Sequence, residues 1–595
     1  MKPNPFPLCL SLLAGCASLD SGPAPRGTVP MTNEDVLVLY SAGCEGLPTD
    51  PRDAHLRAAL ELLDERLREL ANEVGEDFPL PIVELACDLL RAPASLRLDL
   101  DESGDWTEGP PLAAQLTVRG TGAEIDSFQR RVRVLLETWL PGPREPVEGN
   151  PGLERMQTEA GRAFVGRQGD AFVASLGEPV TSALGLGSMD LPRGVEPAFA
   201  LKLDTAKLRG PIEMFLGFAG EDAALIRRQL RQFGILEEEP MAIHAAWGRG
   251  KDRTYVATRY VNYVQVMRAQ GSLVLEPIPA SDLALFPADA TIAVATRYDP
   301  SSILGAMRNA QELEGPDAPD PIAVLRDLCG IDLGADLLDT LGATSGFYLS
   351  DTTGGGGLAS AVLFVSVDDA ERLKRTIQTA VNLAIGLTHE KTEGYATIRE
   401  WSHGDAACWS TSFPGLPIPL ECSAALTSSH FFLALTPQAL VSAIDQASSN
   451  DGGLARNRAF RAAAGSLDDL AGFSFQDTSR LIDEGYGYAT LLFSALANAV
   501  RSRTEERGPD LVLPPFHALK AGAVPSVVVT RFDGNDLLST GEADPSLTAN
   551  LTALLGTPVA HLVAALAIAA GAAVQEGRAS PAELLDAGTF EYEVF

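Results

Sequence analysis

The first residues with the types and spacing of a metal site are four oxygen-bearing side chains at alternating positions, Asp99, Asp101, Ser103 and Asp105. Alternating oxygen ligands before a turn glycine, here Gly104, open many calcium-binding loops. Such a loop ends in a bidentate glutamate, but Pro110 occupies that position and Glu108 comes two residues early. Because Asp, Ser and Gly also suit a hairpin turn, the sequence favours a turn over a calcium site.

A second set of candidate ligands combines two histidines and two cysteines, namely His403, Cys408, Cys422 and His430. Their separations fit no standard zinc finger. In an oxidising compartment a Cys408–Cys422 disulfide bridging a hairpin is the favoured interpretation, and Cys44 could reach Cys87 across two helices. His403 and Asp405, beside Trp401, are expected on a strand or loop surface. The chain has neither a Gly-x-Ser-x-Gly nor a His-Glu-x-x-His motif, so we predict no catalytic residues and no cofactor.

The most specific motif is Leu13-Ala14-Gly15-Cys16, which ends a short apolar run that follows Lys2. A positive start, an apolar stretch and small residues before a cut are the parts of a secretory signal. The motif resembles the lipobox of bacterial lipoproteins. That resemblance implies cleavage before Cys16, lipidation of its thiol and, with Ala17 next, sorting to the outer membrane. The alternative is a start at Met31, which implies a cytoplasmic protein or one held by a C-terminal membrane helix.

Composition restricts the classes of partner. The chain has 595 residues, enough for several domains, and a formal net charge of −33. Nucleic-acid binding needs clustered Lys and Arg to contact phosphates, so the acidity argues against that class. It also disfavours binding to an anionic lipid surface, so a covalent anchor must hold the protein at a membrane.

The order of predicted elements occurs twice along the chain. The first copy contains a strand at 36–40, a hairpin of 96–100 with 114–118, a helix over 124–140 and strands at 171–175 and 198–205. The second copy contains a strand at 290–296, a hairpin of 346–349 with 361–367, a helix over 369–387 and strands at 431–435 and 472–478. Each copy closes with a hairpin, 242–247 with 253–259 and 526–532 with 537–541. Asp204, Thr436 and Asp477 each stand where a helix begins and can cap it.

Because hairpins outnumber crossovers, the prediction is α+β, with two duplicated, mainly antiparallel sheet domains and helices packed on one face. The predicted division is a signal peptide at 1–15, a flexible tether at 16–32, domain 1 at 33–275, a linker at 276–284 and domain 2 at 285–545. An Ala-rich helix and tail follow at 546–595. The uncharged stretch 551–574 is long enough to cross a bilayer, but its Ala content and Pro558 favour a helix packed on the domain.

The run Phe286-Pro287-Ala288-Asp289-Ala290 leads into a strand and then into an Asp-Pro helix start. This run is similar to the Leu-Pro-Ala-Asp-like strand openers of a large class of uncharacterised exported bacterial proteins. The resemblance implies a type of fold and no catalytic residues.

The function expected from the sequence is that of a lipid-anchored exported protein with a non-catalytic binding or envelope-structural role. Its expected partners are the membrane, through the anchor, and an unknown protein or apolar ligand, with no nucleic acid. Two alternatives stay open: a carrier of an apolar ligand, which needs a large continuous cavity, and a hydrolase with a dispersed site, which needs a nucleophile bonded to a base.

Overall fold

The computed structural model describes residues 35–555, apart from internal gaps. The longer gaps are 44–49, 62–66, 73–79, 101–111, 140–142, 177–188, 217–225, 309–321, 413–420 and 500–512, with shorter ones mainly within 210–239 and 306–329. The first half contains strands β1 (Asp35–Ser41), β2 (Ala94–Leu100), β3 (Leu112–Arg119), β4 (Arg144–Val147), β5 (Asn150–Thr158), β6 (Gly161–Gln168), β7 (Ala171–Leu176), β8 (Glu196–Asp204), β9 (Ala242–Arg249) and β10 (Thr254–Val261). The second half contains β11 (Ala290–Arg297), β12 (Leu341–Ser350), β13 (Val362–Val367), β14 (Thr397–His403), β15 (Ala406–Ser412), β16 (Ser423–Leu426), β17 (His430–Ala434), β18 (Gly472–Gln476), β19 (Ser526–Asp533) and β20 (Asp536–Ala543).

All twenty strands pair antiparallel in one open sheet, which confirms the α+β class. From one edge to the centre the first half runs β4-β5-β6-β7-β3-β2-β1-β8-β9-β10. From the other edge the second half runs β14-β15-β16-β17-β13-β12-β11-β18-β19-β20. The two halves therefore share one strand order, as a duplication requires.

The register of the two halves also agrees. The β1–β2 ladder shifts between Asp35 and Leu37, and the β11–β12 ladder shifts between Ala290 and Ile292. A bulge at the same place in both ladders makes Leu37 equivalent to Ile292. From there the pairings give equivalent residues strand by strand.

The halves are not separate sheet domains, because β10 pairs with β20 along its length. Ala257 lies opposite Thr540 at the middle of this pairing. Arg259 reinforces the junction, since its guanidinium binds Asp190 of the first half and both Asp533 and Asp536 of the second. The hydrogen bonds that Arg259 donates to these carboxylates, that to Asp190 foremost, raise the pKa of Arg259. The domain boundaries themselves stay a prediction.

Twelve α-helical segments are named here within the described residues. They are α1 (Ala54–Glu61), α2 (Leu80–Arg91), α3 (Gly122–Trp139), α4 (Tyr263–Ala269), α5 (Ala280–Leu283), α6 (Asp351–Gly354), α7 (Ala370–Thr392), α8 (Pro437–Ser448), α9 (Arg458–Ala464), α10 (Thr478–Ala499), α11 (Phe516–Lys520) and α12 (Leu547–Leu555). The predicted caps form: Thr436 accepts from the backbone N–H of Ala439 at the start of α8, and Asp477 from that of Arg480 in α10. Asp204 accepts from Ala206 at a 3-10 turn.

Helices cover one described face of the first half but both faces of the second. In the first half, α2 and α3 pack beside Val118 and Phe172. In the second half, α7 packs on Trp409 and Phe431, whereas α8 packs with their chain neighbours Cys408 and Phe432. Because successive strand residues point to opposite faces, these helices lie on opposite sides of the sheet. The prediction of helices on one face is therefore wrong for the second half.

Parts of the predicted linker and of the predicted C-terminal helix belong to the folded body. Within 276–284, Ile278 and Leu283 are buried in the second-half core. At the C-terminal end, α12 packs through Ala549 and Ala553 against Leu481 and Ile482 of α10. No helix in the described part of the chain is long and apolar enough to span a membrane. The signal peptide, the tether and residues 556–595 lie outside the described residues.

Candidate binding groove

An open groove of about 560 Å³ lies between α8 and the edge strands of the second half. Its sheet side carries Arg399, Trp401, Ser410, Thr411, Ser412 and Glu421, and its helix side carries Pro437, Gln438, Val441 and Ser442. We call it the Trp401 groove. It forms because α8 covers β16 and β17, while β14 and β15 extend beyond the helix.

The helix side of the groove follows from the periodicity of α8. Ala439, Leu440, Ala443 and Ile444 are buried in the core. Positions 438, 441, 442 and 445, which have the i, i+3, i+4 and i+7 spacing of one helix face, lie toward the edge strands. Asp445 on this face binds His403 of β14, with 2.7 Å between Asp445 Oδ1 and His403 Nε2. This pair links the helix to the edge strand.

The Trp401 side chain is held in one orientation by hydroxyl groups. Its indole Nε1–H donates to Ser410 Oγ at 2.9 Å, and Ser410 Oγ lies 2.8 Å from Ser423 Oγ. Ser423 Oγ donates to the carbonyl of Glu421. Beside the indole, Arg399 Nη2 donates to Ser412 Oγ at 3.0 Å. The groove therefore presents a fixed aromatic side chain flanked by hydroxyls and charges of both signs.

The structure does not bring the proposed zinc ligands together. His403 binds Asp445, whereas His430 Nε2 lies 3.2 Å from Asp282 Oδ1. Cys408 is buried, and burial raises the pKa of its thiol, which opposes formation of the thiolate that zinc requires. No group of three or more candidate metal ligands occurs among the residues that the structure describes.

The Cys408–Cys422 disulfide does not form, and both residues are thiols. Cys408 lies opposite Ala425 in the β15–β16 ladder, three residues from Cys422. Three strand residues span about 10 Å, beyond the reach of about 7 Å that a disulfide allows between Cα atoms. Cys44 and Cys329 lie outside the described residues, as do Asp101, Ser103 and Asp105 of the calcium candidate. Asp99 is in β2, opposite Ala113. His403 ends β14 and Asp405 is exposed in the turn after it, as predicted.

A serine, a histidine and a carboxylate come together beside the start of β17. Ser429 Oγ lies 2.9 Å from His430 Nδ1, while His430 Nε2 faces Asp282. Burial alone would raise the pKa of Asp282, but hydrogen bonds from His430 and Thr344 hold it below its usual value. The order of groups matches a hydrolase triad. However, the N–H groups of both Ser429 and His430 donate to Thr427 Oγ1, so neither can form an oxyanion hole.

The Asp282–His430 pair instead attaches the segment before β11 to the sheet. The two residues are 148 positions apart, and no local pattern in the sequence connects them. His430 also contacts the rings of Phe364 and Phe432. We interpret this buried pair as structural.

No family model, no curated protein and no solved structure matches the chain. The functional argument therefore depends on the chemistry of the described residues. The groove can bind a ligand, since it combines an aromatic surface with polar groups placed to fix orientation.

Proposed function

We propose that the protein is a lipid-anchored, non-catalytic binding protein of the cell envelope, and that the Trp401 groove is its ligand site. The observation that supports this proposal most directly is the indole of Trp401, held by Ser410 in an open groove lined by hydroxyls. The lipobox-like motif at Cys16 supports the anchor.

The lining indicates the class of ligand. An indole presents a flat apolar surface with one polar group, while the serines, Thr411 and Gln438 offer donors and acceptors. Arg399 and Glu421 contribute opposite charges, so the groove does not select a strongly charged ligand. An uncharged saccharide chain has the matching chemistry, with apolar ring faces and many hydroxyls.

The two alternatives receive less support from this geometry. A carrier of an apolar ligand needs a large continuous cavity, whereas this groove is open to solvent and has hydroxyl, amide and charged groups among its lining residues. A hydrolase needs donors for a developing oxyanion, and the amides beside Ser429 are already bonded.

Replacement of Trp401 with alanine is expected to weaken saccharide binding at least tenfold, because aromatic anchors typically contribute 2 kcal/mol or more at a binding site. Chitohexaose and cellohexaose serve as uncharged probes, with dissociation constants measured by calorimetry. Trp401→Phe keeps the ring but loses the donor to Ser410, so an intermediate loss is expected.

Tyr395→Ala is the matched control, since Tyr395 is an exposed aromatic residue of the same half, just before β14. This control should bind both oligosaccharides like the wild type. Absence of binding to either probe, or equal binding by Trp401→Ala and the wild type, would contradict the assignment of the groove.

Substitution of Cys16 with serine tests the anchor. We expect wild-type protein in the membrane fraction, with an intact mass that shows loss of residues 1–15 and gain of acyl chains. Cys16→Ser should move to the soluble fraction, because no thiol remains to carry lipid. A wild-type chain that keeps residues 1–15 without lipid would refute the anchor. The assignment of the groove would still be tested by oligosaccharide binding.

A further inference from the structure

The last part of α10 exposes large apolar side chains. Leu491 is 71% exposed, Tyr488 53% and Leu492 45%. Their i, i+3 and i+4 spacing places them on one side of the helix, and we call these three residues the Leu491 face. Thr490 and Ser494 lie away from this face, and their hydroxyls bond to carbonyls of the helix itself. Exposed leucines grouped on one side of a helix indicate a surface that another segment or molecule covers.

The first part of α10 is covered by α12. Leu481 and Ile482 of α10 are fully buried and pack with Ala549 and Ala553 of α12. The two helices start at the same end of the sheet, because β18 and β20 both end where β19 begins. They therefore run side by side from that end.

The shorter helix does not reach the end of the longer one. α12 has nine residues and α10 has 22, which correspond to lengths of about 13 Å and 33 Å. α12 therefore ends at about the level of Tyr488, where the Leu491 face begins. Leu554, in the last turn of α12, is itself 55% exposed.

The residues that follow α12 start a new segment. Leu555 is followed by Gly556, Thr557 and Pro558, and a glycine with a proline close behind it is typical of a helix end. Residues 559–574 come next and contain no Asp, Glu, Lys or Arg. An uncharged segment therefore leaves α12 close to the start of the Leu491 face.

The larger apolar residues of this segment have helical spacing. At positions i, i+3, i+4 and i+7 they are Val559, Leu562, Val563 and Leu566. His561 and Ile568 would lie on the opposite side of such a helix, and most of the other residues are alanine. A single stripe of this kind matches one protein face, whereas a helix that spans a membrane is apolar all round. The segment is also shorter than the roughly 20 residues that a spanning helix needs.

We propose that residues 559–574 form a helix that packs on the Leu491 face and continues the cover that α12 provides over the first part of α10. Burial of Leu491 and Leu492 against the stripe removes apolar surface from water, which favours the contact. The proposal depends neither on the Trp401 groove nor on the anchor at Cys16. It implies that the C-terminal apolar stretch is used within the protein and is not a second membrane attachment.

Thiol labelling of the full chain tests this contact, in a background of Cys16→Ser with Leu491→Cys. Mass spectrometry of peptides gives the labelling rate at each cysteine, divided by its rate in denaturant. Cys422 is exposed and Cys408 is buried, so Cys422 gives the rate of an accessible thiol and an unlabelled Cys408 shows that the chain is folded. The Leu491→Cys thiol should react at least about tenfold more slowly than Cys422, because it becomes accessible only when the covering segment opens.

Substitutions in the segment identify what covers the face. Leu562→Gln combined with Leu566→Gln should raise the labelling rate of the Leu491→Cys thiol to that of Cys422, because the apolar stripe is lost. Ile568→Gln is the matched control. It removes an apolar side chain of the same segment from the side opposite the stripe, so the protection should be unchanged.

Three results would overturn the proposal. Equal labelling of the Leu491→Cys thiol and Cys422 in the full chain would show that the face is uncovered. Protection that persists with Leu562→Gln and Leu566→Gln would assign the cover to a second copy if sedimentation shows a dimer, and to another segment if it shows a monomer. Protection that appears only with phosphatidylcholine vesicles would assign the face to a lipid surface.

Discussion

Replacement of Asp53 with alanine is expected to lower the free energy of unfolding by about 3 kcal/mol, since a buried carboxylate with several donors is removed at once. Asp53 Oδ1 accepts from Ser546 Oγ at 3.0 Å and from the Thr548 N–H at 2.8 Å, while Oδ2 accepts from the Leu547 N–H at 3.3 Å. These are the first amides of α12, which have no partners within the helix. The carboxylate comes from the other end of the sequence.

The neighbouring residues make this site sensitive to substitution. Arg52 binds Asp50 and Asp544 at the same place. Burial raises the pKa of Asp544 against the opposing charge of Arg52. With Asp53→Ala, the amides of α12 would be left buried and unpaired, so hydrogen exchange should accelerate first in α12.

Denaturant unfolding and hydrogen exchange measure this effect, with Asp204→Ala as the matched control. Asp204 is partly exposed and caps a short 3-10 turn through one bond to Ala206, so its loss should cost about 1 kcal/mol or less. Equal stability losses for the two variants would show that Asp53 does not hold α12.

Replacement of Phe286 with alanine is expected to cost about 4 kcal/mol, the usual range for emptying a buried aromatic site. Phe286 is fully buried at the centre of the second-half core. Its ring centroid lies 5.1 Å from that of Phe473, 5.2 Å from Phe364 and 5.9 Å from Tyr348, each in an edge-to-face arrangement. The core around the Phe286 ring is closely packed. A Cβ atom added at Gly346 would lie only 2.7 Å from that ring, which is too close for a side chain.

Thermal and denaturant unfolding of Phe286→Ala should be compared with those of Phe516→Ala. Phe516 is also an aromatic residue with a ring partner, Tyr486, but it is 37% exposed on α11. We expect a loss of about 1 kcal/mol there. A loss below 1 kcal/mol for Phe286→Ala would mean that the core relaxes into the cavity.

The strands that the sequence predicts correctly are those with a clear apolar pattern. This apolar pattern is present in the equivalent strands β1 and β11, in β8 and β18, and in the closing hairpins. The strands it does not assign are β4 to β6 and β14 to β16, which form the outer parts of the sheet. β14 has the sequence Thr-Ile-Arg-Glu-Trp-Ser-His. Charged residues such as Arg399 and Glu400 are typical of an edge strand that is exposed to solvent. Alternation of apolar residues is therefore a poor guide at the edges.

The candidate sites depend on register, which the sequence does not reveal. Trp401 and Ser410 approach each other only once β14 pairs with β15, and Val441 faces them only once α8 packs on the sheet. Lys202 alternates with apolar neighbours in β8 and looks like a solvent-facing residue of an amphipathic strand. In the structure Lys202 is nevertheless only 7% exposed, and it lies opposite Val38 of β1.

The pairing of β10 with β20 has a consequence for how such a chain could arise. Both strands are the last of their halves, they run antiparallel, and Ala257 opposite Thr540 marks an approximate two-fold axis. Two identical copies of one half could meet through the same strand in the same way, since a symmetric dimer needs only a self-complementary edge. The full chain thus has the architecture of a covalently joined homodimer, in which the two halves take the places of the two subunits.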